Sequence, residues 1–214
     1  MRRLLPTLVL PAMAASPVAM GETAFPYTSV GIAMSHVELD DELDEGFGSV
    51  DSITTYGLRG QYQMDNRSYL HAEFFEGSER DDQTEFDITG LSFGIGYPIQ
   101  IHERADLFLQ ADVQYEQSDV EIGPFFEDDG DDIGIGYTAG ARIWAAPGRL
   151  ELNPFISDNT VDVEIGDDED DDEGMTYGIN ARAWLTSNHT LSLSLATVED
   201  GPDIIGIAYD LYLW

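Results

Sequence analysis

Alternation of apolar and polar residues with period two, sustained from Tyr27 to the C-terminus, predicts an all-β chain. Two further observations predict a single antiparallel up-and-down barrel of about ten strands, with eight or twelve as the other possibilities. Connections between the alternating segments are short and long by turns, so one end of the strands is tight and the other extends. The polar face carries Gly, Ser, Thr and Gln with a sparse mixed set of charges, as the crowded inside of a narrow barrel would.

The bulk numbers leave room for this and exclude other classes. The 214 residues suit one domain or two small ones. With 42 acids against 9 bases, all of them Arg, the formal charge is −33. Nucleic-acid partners are disfavoured, because phosphate contacts need a basic patch. A hydrophobic share of 43% and an aromatic share of 11% are too high for a disordered chain. The absence of Cys removes disulfides, thiol nucleophiles and thiolate metal sites.

Residues 1–21 read as a secretory signal peptide and residues 22–214 as the barrel domain. Met1-Arg2-Arg3 is a short basic head, and residues 4–15 form an apolar stretch too short to span a membrane as a helix. Cleavage is expected after Gly21, where Pro17 breaks the helix just upstream, or else after Ala14; an uncleaved anchor is the plain alternative.

Ten alternating segments follow, near 27–38, 52–64, 69–79, 86–97, 106–117, 132–145, 150–164, 175–185, 190–198 and 204–213. In the second, Tyr56, Leu58 and Tyr62 alternate with Gly57, Arg59 and Gln61. In the fourth, Leu91, Phe93, Ile95 and Tyr97 alternate with Ser92, Gly94 and Gly96. In the fifth, Leu107, Leu109, Ala111 and Val113 alternate with Phe108, Gln110 and Asp112. The ninth opposes Leu191, Leu193 and Leu195 to Ser192 and Ser194, and the last opposes Ile205, Ile207, Tyr209 and Leu211 to Gly206, Ala208 and Asp210. Most segments have about the nine to eleven residues a tilted membrane-spanning strand needs.

Short turns are expected at 65–68, 146–149 and 186–189, with a somewhat longer one at 98–105. Longer acidic loops are expected near 39–51, 77–86, 118–131, 165–174 and 199–203, and 34 of the 42 acids stand in or beside these five. Ala141-Arg142-Ile143-Trp144 recurs as Ala181-Arg182-Ala183-Trp184, a hint of hairpin duplication.

A secreted soluble β-sandwich alternates too. Aromatic placement favours the membrane: Tyr62, Tyr69, Tyr97, Trp144, Trp184, Tyr212 and Trp214 gather at the short-turn ends, although strict alternation leaves only Tyr62 and Tyr97 as clean outward girdle residues. In lipid every backbone N–H and C=O must pair internally, and only closure removes the sheet edges.

The signal peptide, the alternating strands, the short turns opposite long loops, and the ending Ile205-Gly-Ile-Ala-Tyr-Asp-Leu-Tyr-Leu-Trp214 together resemble a small outer-membrane β-barrel protein of Gram-negative bacteria. That resemblance implies a place in the cell outer membrane, contact with its lipid and lipopolysaccharide, and a terminal strand read by the barrel-assembly machinery through Tyr212 and Trp214. Asp210 departs from the pattern, since its parity usually carries an apolar residue and the apolar stripe here runs from Ile205 to Leu213.

On the polar face stand Arg59, Arg142 and Arg182 with Glu73, Asp112, Glu151 and Asp210. Isolated charges in a narrow lumen are costly, so a salt-bridge network filling the barrel is expected. A gated solute path and a proton-transfer site are the alternatives, and the partner of each Arg depends on the barrel's shear. The acidic run Asp167, Asp168, Glu169, Asp170, Asp171, Asp172, Glu173 reads as the tip of a surface hairpin between Gly166 and Gly174. It lacks the Gly and Glu spacing of an EF-hand, so no specific metal site is expected. Weak Ca²⁺ or Mg²⁺ association there, bridging to lipopolysaccharide phosphates, stands against a merely solvated acidic surface suited to saline surroundings.

The nearest approaches to catalytic pairings are His36 beside Asp40 and Asp41, and His189 near Ser192 in a short turn away from the loops. No catalytic residue and no cofactor is expected. The predicted function is a structural or surface-interaction barrel with a polar, salt-bridged interior and acidic outer loops; a narrow channel for water, ions or small solutes is the runner-up.

Overall fold

The computed structural model describes residues 28–38, 52–65, 67–80, 84–122, 126–161, 174–199 and 201–213. The expected signal segment, the acidic run 167–173 and Trp214 lie outside the described residues. Ten strands form the barrel: β1 Ser29–Glu38, β2 Ser52–Gln63, β3 Tyr69–Arg80, β4 Thr84–His102, β5 Ala105–Ile122, β6 Phe126–Ala146, β7 Leu150–Val161, β8 Gly174–Trp184, β9 His189–Val198 and β10 Asp203–Tyr212. Each pairs antiparallel with its neighbours in sequence, and β10 returns to pair with β1, which closes the wall and leaves it no open edge at the seam.

Period-two alternation sorts the side chains inside out. Large apolar residues cover the outer wall, among them Leu58, Phe93, Leu109, Ile135 and Leu193, each about half exposed. Arg142, Arg182 and Glu151 on the inner face have no exposure at all. Water would penalise such an outer surface, whereas hydrocarbon requires it. The apolar belt ends along a single cross-strand row on β3 to β6, formed by Phe74, Leu91, Tyr115 and Ile133. The next outward row is Glu76, Thr89, Gln117 and Asp131.

Pairing does not stop where the belt does. β3 to β6 continue as a paired sheet to Arg80↔Glu85, Thr84↔Ile122 and Ile122↔Phe126. Ile122 stands seven residues beyond Tyr115, so the sheet continues roughly 24 Å along the strand past the belt at ~3.4 Å per residue. The loops expected at 77–86 and 118–131 are therefore mostly strand. Phe86, Ile88, Val120 and Ile122 keep the apolar alternation going beneath the density of acids that suggests a loop. The longer turn expected at 98–105 also shrinks, to Glu103-Arg104, because β4 runs through Pro98 to His102. Proline is tolerated there because the β3 ladder has already ended at Gly96, and Pro98 pairs only with Phe108 of β5.

Candidate functional site

Alternation turns all seven charged residues singled out above into the lumen. Five of them form a chain of alternating sign across the wall. Arg142 on β6 pairs with Glu151 on β7. Arg182 on β8, the register partner of Glu151, lies 3.9 Å from Glu151 Oε1 and 3.9 Å from Asp210 Oδ2 on β10. Arg59 on β2 grips Asp210 with two prongs, Nε donating to Oδ1 at 2.8 Å and Nη2 to Oδ2 at 2.6 Å. A guanidinium fork on a carboxylate is among the strongest polar contacts a protein makes, while the 3.9 Å contacts are Coulombic only. Arg182 Nε also donates to Ser192 Oγ at 3.2 Å, and Thr190 Oγ1 to Asp210 Oδ2 at 3.3 Å.

The other two charges lie outside that chain. Glu73 is the register partner of Arg59 on β3. Asp112 belongs to a separate cluster, accepting from Gln110 Nε2 at 3.1 Å and Gln114 Nε2 at 2.7 Å, with His71 Nε2 3.7 Å away. Sequence reasoning missed Asp106, buried directly opposite Arg142, and His71, which the parity of β3 turns inward. Asp106 has the parity of Asp112, so the signal was present at the very start of its segment.

Glycines let these contacts cross a strand. Gly31 of β1 is the register partner of both Arg59 and Asp210, and the arginine reaches over it. A Cβ at Gly31 would strike the Asp210 carboxylate and come 2.7 Å from Tyr209 O. In the same way His71 passes over Gly94 to Asp112. Tyr69 passes over Gly96, and its OH donates to Gln110 Oε1 at 3.2 Å. Phe75, Phe108 and Phe155 lie on Gly90, Gly140 and Gly178 of the adjoining strand. The inner glycines thus make saddles for inward rings and forks, beyond the general relief of curvature that composition suggests.

The lumen is not uniformly polar, and this corrects the expectation of a polar interior. Toward the long-loop end Val37, Ile53, Phe75, Ile88, Ala196 and Ile204 pack into one apolar cluster, joined by Phe86, Phe155 and Val198. Each has inward parity, but several stand beside acids, as in Asp87-Ile88 and Asp203-Ile204, where the charge hides them. At the short-turn end Trp144, Trp184 and Tyr212 form an aromatic ladder, with centroids 6.1 Å and 4.8 Å apart. The ion chain lies between these two caps. Of the aromatic residues at the short-turn end, Tyr62 and Tyr97 do face outward, while Tyr69, Trp144 and Tyr212 are buried inside. Tyr212 shares the inward parity of Asp210, so Ile205, Ile207, Tyr209 and Leu213 supply the outer stripe of β10.

Outside the belt, register sets Asp87 beside Asp119 and Glu85 beside Glu121 on β4 and β5. Arg80 pairs with Glu85 at the edge. Among the described residues no three metal-binding side chains converge.

The chain matches the family model of the outer membrane protein beta-barrel domain over residues 5–153. No curated protein matches it in sequence. Among solved structures it is similar to the beta domain of the Bordetella autotransporter BrkA, at 10% identity and a TM-score of 0.51, over 87% of this chain and 99% of that one. It is also similar to Neisserial surface protein A, with 11% identity, a TM-score of 0.46 and coverage of 87% and 97%. For the attachment invasion locus protein Ail of Yersinia pestis the values are 15%, 0.42, 86% and 96%. At such identities the likeness is one of fold alone. The family match spans more than half of the chain, and with a closed ten-strand barrel whose outer wall is apolar it makes this protein a member of the outer membrane protein beta-barrel domain family, resident in the outer membrane.

Proposed function

We propose that this protein is a non-conducting barrel whose work is structural: it holds an anionic β-sheet just beyond the hydrocarbon, for interaction at the surface. The observation that supports this reading is how the inward side chains are distributed. An apolar cluster packs toward the loop end, an aromatic ladder lines the turn end, and an ion chain of alternating sign lies between them. A hydrated ion would have to shed its water to pass either cap, at a cost that nothing in an apolar cluster offsets. The interaction partners proposed are divalent cations and, through them, the phosphates of lipopolysaccharide, since a face of unscreened carboxylates repels an anionic headgroup layer. The terminal strand is proposed as the segment the barrel-assembly machinery reads.

Planar-bilayer recording on pure, folded protein tests the reading. No steady ion-conducting steps are expected, and Arg142→Gln with Arg182→Gln should lower stability without opening a path. Steady single-channel steps from the unmodified protein would overturn the closed lumen and favour the channel reading.

A further inference from the structure

The outer wall is bulky over much of its area, with small residues at a few outward positions such as Gly60, Ala72, Ala141 and Ala181, and from β4 to β8 it is hollowed into a groove of about 680 Å³. The cause lies in two alanines. Ala111 of β5 stands in the outward row Ile95, Ala111, Tyr137, Asp158, Met175, and Ala139 of β6 in the adjoining row Tyr97, Leu109, Ala139, Ile156. Where the flanking positions carry rings and branched chains, these two carry one methyl each. The groove follows the rows, across the strands and not along them.

Its outward side chains are largely apolar, with the Tyr97 and Tyr137 rings along it, Ser68 at the short-turn side and Asp158, beside Met175, at the loop side. From β4 to β8 the rows cross about 19 Å at ~4.8 Å per strand. Strands tilted by roughly 40° incline the rows equally to the membrane plane, giving a rise of roughly 12 Å. That is close to the ~15 Å depth of one leaflet's hydrocarbon.

We infer that this groove holds one acyl chain of a membrane lipid, with that lipid's headgroup at Asp158. The groove lies within the belt that faces hydrocarbon, and in its middle only the Tyr97 and Tyr137 hydroxyls offer a polar side-chain group to a protein partner. A second copy of the chain would bring another convex, bulky belt, which bridges a hollow without filling it. The Asp158 carboxylate at the mouth favours a headgroup bearing an ammonium over one that is only anionic.

Native mass spectrometry tests this on full-length protein re-extracted from bilayers of equal phosphatidylethanolamine and phosphatidylglycerol with identical acyl chains. One lipid should survive delipidation, with the ethanolamine form favoured about two- to fivefold, the range of a solvent-exposed ion pair. Ala111→Phe with Ala139→Phe should lose the retained lipid while keeping heat-modifiable gel mobility; Ala139→Leu, a smaller filling, should weaken retention if the double variant fails to fold. Asp158→Asn should keep the lipid and lose the headgroup preference. Equal retention by the unmodified and filled proteins would overturn the inference. So would efficient disulfide pairing of Ala139→Cys copies in bilayers, which would assign the groove to a second chain. None of these outcomes bears on whether the lumen conducts.

Discussion

Arg59 and Asp210 stand two strands apart on the barrel wall and meet over Gly31, the one residue type that lets a guanidinium lie flat against the strand between them. The pair ties β2 to β10 across β1, the seam at which the barrel closes. A buried pair broken on one side leaves a charge without its partner, which costs about 3–5 kcal/mol.

Gly31→Ala should therefore act as a charge mutation although it changes no charge. Urea unfolding in bilayers, followed by Trp fluorescence, should show a loss of about 3 kcal/mol, close to that of Arg59→Gln. In an Arg59→Gln background the same alanine should cost much less. Additivity within about 0.5 kcal/mol would show that the glycine and the ion pair are not coupled.

The other saddles predict a contrast between two glycines. A Cβ at Gly94 would meet the His71 imidazole and come 2.8 Å from Asp112 Cα, whereas at Gly60 the nearest atom is Ser29 O at 3.7 Å. Gly94→Val should cost at least about 3 kcal/mol, the upper range for overpacking. Gly60→Val, on the outer face, should stay within about 0.5 kcal/mol. Similar losses at both positions would mean that glycine serves only backbone curvature here.

Much of this was legible in the sequence, because parity is a local property. Period two gave the side of the wall for Arg59, Glu73, Asp112, Arg142, Glu151, Arg182 and Asp210, and the bounds of β9 and β10 to within about one residue. Pairing is not local. Whether Arg182 meets Glu151 or Asp112 depends on how far the strands slide as the sheet closes, and no window of sequence contains that. Acids masked two further features for one physical reason. A run dense in Asp and Glu reads as solvated loop, yet a sheet beyond the belt can hold carboxylates on one face and Phe86 and Ile88 on the other. The apolar cap was missed with it, since Ile53, Ile88 and Ile204 sit where strand passes into acidic sequence.

The ion chain predicts an order among its members. Glu151 faces two arginines, and its loss leaves Arg142 and Arg182 confronting each other in the lumen. Arg182 touches its carboxylates only at 3.9 Å, and each of those keeps a closer arginine. Glu151→Gln should cost about 3–5 kcal/mol, and Arg182→Gln about 1–2 kcal/mol. The temperature at which the folded gel band converts to the unfolded one should fall more for the first. The reverse order would place the main electrostatic tie at Arg182.

The edge of the belt predicts where a charge is tolerated. Leu193 lies half exposed in the middle of the outer wall, and Leu193→Arg should cost about 2–4 kcal/mol, as arginine does at a bilayer midplane. Asp119, on the same side of the wall but beyond the Tyr115 row, is the register partner of Asp87. Like charges directly opposite one another on neighbouring strands destabilise a sheet, so Asp119→Arg should leave stability unchanged or raise it slightly. Any gain should shrink as salt rises, because the screening length falls from about 10 Å at 0.1 M to about 3 Å at 1 M, shorter than the ~5 Å between cross-strand neighbours. Unfolding of both variants in the same lipid, at low and high salt, checks the pair. If Asp119→Arg proves as damaging as Leu193→Arg, the sheet beyond Tyr115 is not in water and the boundary drawn at that row is wrong.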